Sequence, residues 1–430
     1  MTYLLLGFGI SNQSCAKILQ ANNQTFCIWD DDLKKRELAQ KMGYRTFIIN
    51  KINNNNKAQP NSNHMQSSNC DNATNHAQCI SKIVLSPGIR SHPLLKLVAN
   101  EQIYNEIDIF FQYSQNKNIK ITCTGSFGKS TTVSLIEHIL NANNIPAKAI
   151  GNLGCTVDNL KDNEIPIIEL SSFQLERIST KFDIGVILNI SKNHHLESYN
   201  NSYEDYANAK YKLATLSKYL LINENLTCKH QNNHYIHNAP ENHIQNAPKQ
   251  TIEFYQKYLH HIPYIAFSAA YNVCRKLSIT PQDIHKACAN FQTLAHRQEI
   301  VQNNPIIIND SKSTNLACSN YILQKHKISY WITGGVNSNI CEQYIKDLPA
   351  QNIKHAFIIG ENKYKLQKIL LSIGINCSIY TNLEDAVICL SKNHQNETII
   401  FSPGFKSFDL YKNFEERGKH FKALIKKHFK

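Results

Sequence analysis

The stretch 121–132, ITCTGSFGKSTT, sets a lysine and two kinds of hydroxyl directly behind a glycine. That residue set suits a phosphate chain. Backbone amides over Thr124, Gly125, Ser126 and Gly128, with a helix N-terminus behind them, would hold phosphate oxygens. Lys129 would balance charge on the β- and γ-phosphates, and the Ser130 hydroxyl could ligate Mg²⁺. The common Gly-x-x-x-x-Gly-Lys-Ser loop needs glycine where this chain has Cys123, so the stretch reads as a degraded loop, a different kind of phosphate loop, or a chance match, the last disfavoured by the strand before it and the helix after it.

Other reactive side chains follow apolar runs. Glu169 ends IPIIEL, and a carboxylate at the C-terminal end of a buried strand is placed to bind metal. His194 and His195 follow IGVILNI and could reach the same crevice; a histidine pair by itself equally reads as structural. Further on, LAHRQE and NDSKSTN bring His296, Arg297, Asp310, Lys312 and Thr314 to a domain junction, where ligands commonly bind. Asp310 or Ser311 would also serve as a helix cap there. Near the start, Gly7-Phe8-Gly9 fits a dinucleotide-type turn or a plain structural one, since Asn12 replaces the third glycine. Asp30 ends the second apolar run, where such folds place a ribose-binding acid.

Positioning these groups requires α/β architecture. Short apolar strands alternate with helical segments in three blocks, which predicts three domains. The first, 1–93, is Rossmann-like; the second, 94–296, carries a mostly parallel P-loop-type sheet; the third, 297–430, is again Rossmann-like. A long helix is expected over 94–114, and 51–80 reads as an elaborated polar loop. The 430 residues contain 13 unpaired-looking cysteines without a CxxC, which suits reduced thiols in the cytoplasm. No eighteen-residue apolar run or basic leader is present, so neither a membrane span nor a signal peptide is expected. The net charge of +13 is spread along the chain and comes with no nucleic-acid motif. Anionic small substrates suit it better, and the C-terminal KHFKALIKKHFK reads as a solvated helix face.

Taken together, these stretches resemble the Mur ligase family, in its D-glutamate-adding branch. The loop TGSFGKSTT is similar to that family's T-G-[ST]-N-G-K-[ST]-T. SPGI, GNLG, ELSSFQLE, ANAKYKL, AHRQE, NDSKSTN and SPGFKSFDLYKNFEERG occur in family order across nearly the whole chain. The resemblance implies an ATP-dependent ligase of peptidoglycan precursor synthesis that joins D-glutamate to UDP-N-acetylmuramoyl-L-alanine through an acyl phosphate, with Mg²⁺, as a cytoplasmic monomer. It implies that Ile10, Ser11, Asp30, Asp31, Gly88 and Asn152 lie along the UDP-sugar path. Lys129, Ser130, Thr131, Arg297 and Asp310 would hold ATP, the last two at phosphate and ribose. Glu169 and a histidine would bind metal: counting from Asn189 selects His194, counting back from Lys210 selects His195, the preferred one. Lys210 matches a lysine carbamylated in the family. Lys312, Thr314, Ser407, Phe408 and Phe414 would frame D-glutamate.

The chain also departs from the pattern. Phe127 replaces an asparagine of the phosphate loop, Ile262 and Ile265 replace asparagines of an adenine-site helix, and Ser338 replaces a lysine. These departures motivate the alternatives, a catalytically weak binding protein of the same fold or a ligase for another amino acid.

Overall fold

The computed structural model describes residues 2–47, 80–153, 155–191, 199–200, 202–223, 226, 249–255, 259, 262–337, 340, 342–393 and 396–429. The expected loop 51–80 lies outside these residues but for Ile80, as do His194, His195 and Ser338.

In the first unit, β1 (Thr2–Leu6), α1 (Ile10–Ala21), β2 (Thr25–Trp29), α2 (Leu33–Lys41), β3 (Ile80–Leu85) and β4 (Ile103–Tyr104) build a parallel sheet of order β2-β1-β3-β4. The long helix expected over 94–114 is broken. Two 3-10 turns precede β4, and α3 begins only at Glu106 and ends at Tyr113. The cause is local: the Asn105 side chain accepts from the amides of Ile107 and Asp108, and Asp108 accepts from the Asn105 amide. That reciprocal cap starts a helix at Glu106 and frees Ile103 and Tyr104 to pair with β3. The first sheet therefore runs through Tyr104, beyond the boundary expected at 93.

The central unit comprises β5 (Ile121–Thr124), α4 (Lys129–Ala142), β6 (Ala147–Gly151), β7 (Ile165–Glu169), α5 (Ser172–Arg177), β8 (Phe182–Ile187), α6 (Tyr203–Leu216), β9 (Ser217–Ile222), α7 (Lys249–Phe254), α8 (Tyr264–Lys276) and α9 (Pro281–Cys288). Its parallel sheet has the order β6-β7-β5-β8-β9. Helices cover both faces, which is why its strands are mostly apolar. α4, α8 and α9 pack one side around Ile136, Phe267 and Ile284, while α5 and α6 pack the other around Leu175 and Leu213.

The last unit runs β10 (Glu299–Asn303), β11 (Ile306–Asn309), α10 (Leu316–Lys325), β12 (Ser329–Gly334), α11 (Glu342–Lys346), β13 (Ile353–Ile359), α12 (Lys363–Ser372), β14 (Cys377–Ile379), α13 (Leu383–Asn393), β15 (Thr398–Phe401) and α14 (Phe414–His428). Its sheet, β10-β11-β15-β12-β13-β14, is parallel except for the β10–β11 hairpin. The basic C-terminal stretch is helical as expected, with Phe421, Leu424 and Ile425 turned into the core. The α/β class with its sheets in three regions agrees with the pattern in the sequence. Among the described residues the cysteines are free thiols, and no helix is long and apolar enough to cross a membrane.

Candidate active site

The phosphate loop leaves the C-terminal end of β5, the middle strand of its sheet, and enters α4. Ligands in open parallel sheets gather at that edge. Gly128 caps α4 with φ +85°, a left-handed conformation open to glycine and costly for most other residues. The neighbouring strand β7 is in register so that Cys123 faces Glu169, which brings the carboxylate beside the first turn of α4. Ser130 donates to Glu169 Oε2 at 2.5 Å, and the Asn152 amide donates to Oε1 at 3.0 Å. Asn152 can come this close because Gly151, with φ +96°, lies against the backbone of Glu169; a Cβ there would sit 2.5 Å from the Glu169 carbonyl oxygen.

Arg297 crosses from the start of the last unit and donates to the same Ser130 hydroxyl. Burial pushes the Glu169 carboxyl up, but the charges of Lys129 and Arg297 and the two hydrogen bonds outweigh it. The carboxyl ends below its usual range, ionised at neutral pH.

Two lysines brace the loop. Lys129 Nζ donates to the carbonyl oxygens of Gly125 (2.8 Å) and Ser126 (3.2 Å). Lys210, from α6, donates to Gly125 at 3.0 Å and to Thr124 Oγ1 at 3.4 Å. Lys210 is 2% exposed. Burial first, and the Lys129 charge second, pull its ammonium well below the ordinary lysine range.

A cavity of about 270 Å³ joins the central and last units along this edge. It collects Ser126, Gly128, Lys129, Ser130, Thr131 and Glu169 on one side with Arg297, Asp310, Lys312 and Thr314 on the other. Asp310 accepts from Ser313 (2.5 Å) and Ser402 (2.9 Å), yet burial pushes its carboxyl up to about 6. Lys312 lies 3.9 Å from the Phe414 ring centre, and burial, then the Arg297 charge, bring it down to about 8.

Other expected residues fall elsewhere. Thr124 and Gly125 meet Lys210 rather than lining the cavity. Asn152, expected with the sugar-path residues, lines the cavity and binds Glu169. Ile10, Ser11, Asp30, Asp31 and Gly88 belong to the first unit. There Asp30 accepts from the Phe8 amide at 2.7 Å, and Asp31 from the indole N–H of Trp29 at 3.1 Å. Ile10 is 67% exposed and stands at the start of α1. Ser407 is buried and Phe408 is 68% exposed; neither lines the cavity, and Phe414 meets its edge through its ring under Lys312 and its carbonyl, which accepts from Ser311.

One residue was missed in the sequence. Asn189, just past β8, accepts from the Ser126 and Phe127 amides, both at 3.0 Å, and donates to the Phe127 carbonyl at 3.0 Å. It fixes the loop from below, and only the β5–β8 pairing reveals it.

Among the described residues no group of three or more His, Cys, Asp or Glu side chains gathers as a metal site. The pair Ser130 and Glu169 nevertheless fits Mg²⁺, which takes oxygen donors and draws the rest from phosphate and water.

Residues 123–261 match the model of the Mur ligase middle domain. The UDP-N-acetylmuramoylalanine–D-glutamate ligase of Rickettsia prowazekii is 32% identical over 82% of this chain and 86% of its own length. That of Protochlamydia amoebophila is 28% identical over 98% and 97%. The solved structure of a UDP-N-acetylmuramate–alanine ligase from Thermotoga maritima shares the fold, with TM-score 0.53 and 15% identity over 99% of both chains. On this likeness, over nearly the whole length of its relatives, the chain belongs to the Mur ligase family, in the branch of the UDP-N-acetylmuramoylalanine–D-glutamate ligases.

Proposed function

We propose that this chain is an ATP-dependent ligase that joins D-glutamate to UDP-N-acetylmuramoyl-L-alanine in peptidoglycan precursor synthesis. The observation that carries the reading is the cluster of Lys129, Ser130, Glu169 and Arg297 at one mouth of the interdomain cavity. The names borne by its relatives supply the substrates. They favour this reading over a weak binding protein or a ligase for another amino acid.

The chemistry follows from what a carboxylate lacks. Its oxygen is a poor leaving group, so the L-alanyl carboxylate first attacks the γ-phosphorus of ATP. A P–O bond forms, the bond to ADP breaks, and an acyl phosphate results. The D-glutamate amine then adds to the acyl carbon, the C–O bond to phosphate breaks, and the amine proton passes to solvent.

The first step brings two anions together. Lys129 and Arg297 offset that repulsion, and removing one such contact costs about 3–4 kcal/mol at the transition state. Ser130 and Glu169 would hold Mg²⁺, which supplies further charge compensation at the phosphates. The histidine expected beside them, His195 or His194, lies outside the described residues.

Lys210 is proposed to carry a carbamate. Its amine sits among groups that favour the neutral form, the form that adds to CO₂ with loss of one proton. The product would place a negative charge where the free amine carries none, against the phosphate loop at Gly125. Arg297 and Asp310 are assigned to ATP, with Lys312 and Thr314 at the amino-acid side together with Ser407, Phe408 and Phe414. Ile10, Ser11, Asp30, Asp31 and Gly88 are assigned to the UDP-sugar. Asn152, through its bond to Glu169, would link sugar path to metal. We assign the three units to UDP-sugar, ATP and amino acid in chain order, with the first running past the expected 93 to take in β4 and the last beginning near 297.

The test is release of ADP by purified protein. It is expected to need both UDP-N-acetylmuramoyl-L-alanine and D-glutamate and to fall by about 10²–10³-fold or more in Lys129→Ala. Near-normal turnover in that variant would overturn the assignment.

A further inference from the structure

Arg90 ties the first unit to the central one at the end of the loop that carries Gly88. The loop leaves β3, the Ser86 amide bonds the Leu6 carbonyl at 2.9 Å, and the Ile89 amide turns back to the Ser86 carbonyl at 3.0 Å. Gly88 itself stands in the open, with nothing within 4 Å of where a Cβ would be. The far end of the loop is held by Arg90. Its guanidinium lies 4.7 Å from the Phe173 ring centre and 4.3 Å from that of Tyr199, two rings 5.6 Å apart and 9° from parallel. It also pairs with Glu176 at 3.4 Å, and the Arg90 carbonyl accepts from the Arg177 side chain at 2.9 Å. Phe173, Glu176 and Arg177 belong to α5, which opens just after Glu169. The seam between loop and helix leaves a void of about 20 Å³, room for about one water.

From there the contacts continue to the phosphate loop. The Tyr199 ring meets the Tyr206 ring at a steep angle with centres 5.4 Å apart, and the Tyr206 and Ser126 hydroxyls share a 2.7 Å hydrogen bond. Ser126 Oγ also accepts from the Ser191 amide at 2.9 Å. Both tyrosines are buried, so the relay is packed along its length. Other bonds between these units, such as Lys17 to Asp158 and the Thr180 amide to Asp108, both at 2.9 Å, lie in neither loop.

We propose that Arg90 is a positioning residue for acyl-phosphate formation: through Tyr199 and Tyr206 it fixes the Gly88 loop against the phosphate loop, so that the alanyl carboxylate meets the γ-phosphorus in line. The proposal rests on the ligase reading, which puts the sugar nucleotide at Gly88 and ATP at Ser126. Arginine suits the task because its flat guanidinium covers both rings while still reaching Glu176. Neither substrate needs Arg90 in order to bind. The reaction does, since reacting groups displaced by about 1 Å can react about 10²-fold more slowly.

The experiment compares the full chain with Arg90→Met, which keeps the apolar stem and loses the guanidinium, with Tyr199→Leu, and with the double variant. Turnover is read as ADP released with UDP-N-acetylmuramoyl-L-alanine, D-glutamate and ATP present. UDP-N-acetylmuramoyl-L-alanine and ADP, each alone, are titrated by calorimetry. Arg90→Met is expected to lower kcat by about 10²-fold while both affinities stay near those of the parent. Tyr199→Leu should behave alike, and the double variant should lose little more than the worse single one, because the two residues act through one contact. A near-parental kcat in Arg90→Met overturns the proposal. So does a loss matched by weaker binding of either ligand, since Arg90 would then shape one site alone, and so do additive losses in the double variant. If the unaltered chain releases no ADP with all three substrates present, the ligase reading fails and takes the proposal with it.

Discussion

Lys129 from α4 and Lys210 from α6 reach one acceptor, donating to the Gly125 carbonyl oxygen at 2.8 and 3.0 Å. Two ammonium groups cannot share that oxygen cheaply in a buried site. The outcome is asymmetric: Lys210, fully enclosed, is driven toward the neutral amine.

That asymmetry predicts chemistry at Lys210. In ¹³C-bicarbonate the unaltered protein should show a carbamate carbonyl by NMR, absent in Lys210→Arg, whose guanidinium stays protonated. Activity of the variant should fall at least about 10²-fold, the size of a lost transition-state charge contact. The folded pKa of Lys210 lies below its unfolded value of about 10.4, so the unfolded chain binds the extra proton between the two. In CO₂-free buffer this group therefore makes stability rise with pH up to about 10. Lys210→Met should flatten that slope in urea titrations; an unchanged slope would contradict the burial argument.

Asp310 gives the opposite sign. Its folded pKa is raised to about 6 against about 3.9 in the unfolded chain. The stability it contributes is present below about 4 and is lost as pH rises through 6, about 3 kcal/mol in all. Asp310→Asn should be more stable than the parent at pH 7.5 and no more stable at pH 4. Nucleotide affinity should fall in the same variant, because the ribose contact proposed for this carboxylate goes with the charge. Denaturant titration and calorimetry read the two effects separately.

Asn189→Ala should loosen the phosphate loop without removing any group that touches substrate. It leaves the Phe127 amide and carbonyl without their partner, at about 1–3 kcal/mol for each buried group left unpaired. The expected signature is a lower unfolding midpoint and a KM for ATP raised about tenfold or more, with the KM for D-glutamate nearly unchanged. Equal changes in both constants would point to a wider collapse.

The contrast between Lys129 and Asn189 shows what could be read before the fold was known. Lys129, Ser130 and Glu169 are legible because each sits at a fixed offset from an apolar strand, and strand ends in parallel sheets share one edge. Asn189 carries no such mark; it matters only because β8 lies beside β5. The 94–114 segment misleads for a related reason. Its apolar residues suit a helix, but Asn105 and Asp108 form a cap in mid-segment and β3 offers Ile103 and Tyr104 a partner. The family pattern expects Asn152 on the sugar path; what the sequence does not show is that Gly151 packs against Glu169 and lets the Asn152 side chain donate to that carboxylate.

The central claim is that a carboxylate is activated by taking the γ-phosphoryl group, and an oxygen label tests it most directly. UDP-N-acetylmuramoyl-L-alanine labelled with ¹⁸O in its alanyl carboxylate is turned over with ATP and D-glutamate, and the released phosphate is analysed by mass. One labelled oxygen per phosphate is the predicted result, since the attacking carboxylate oxygen stays on phosphorus when the amide forms. Unlabelled phosphate alongside amide product would contradict the account.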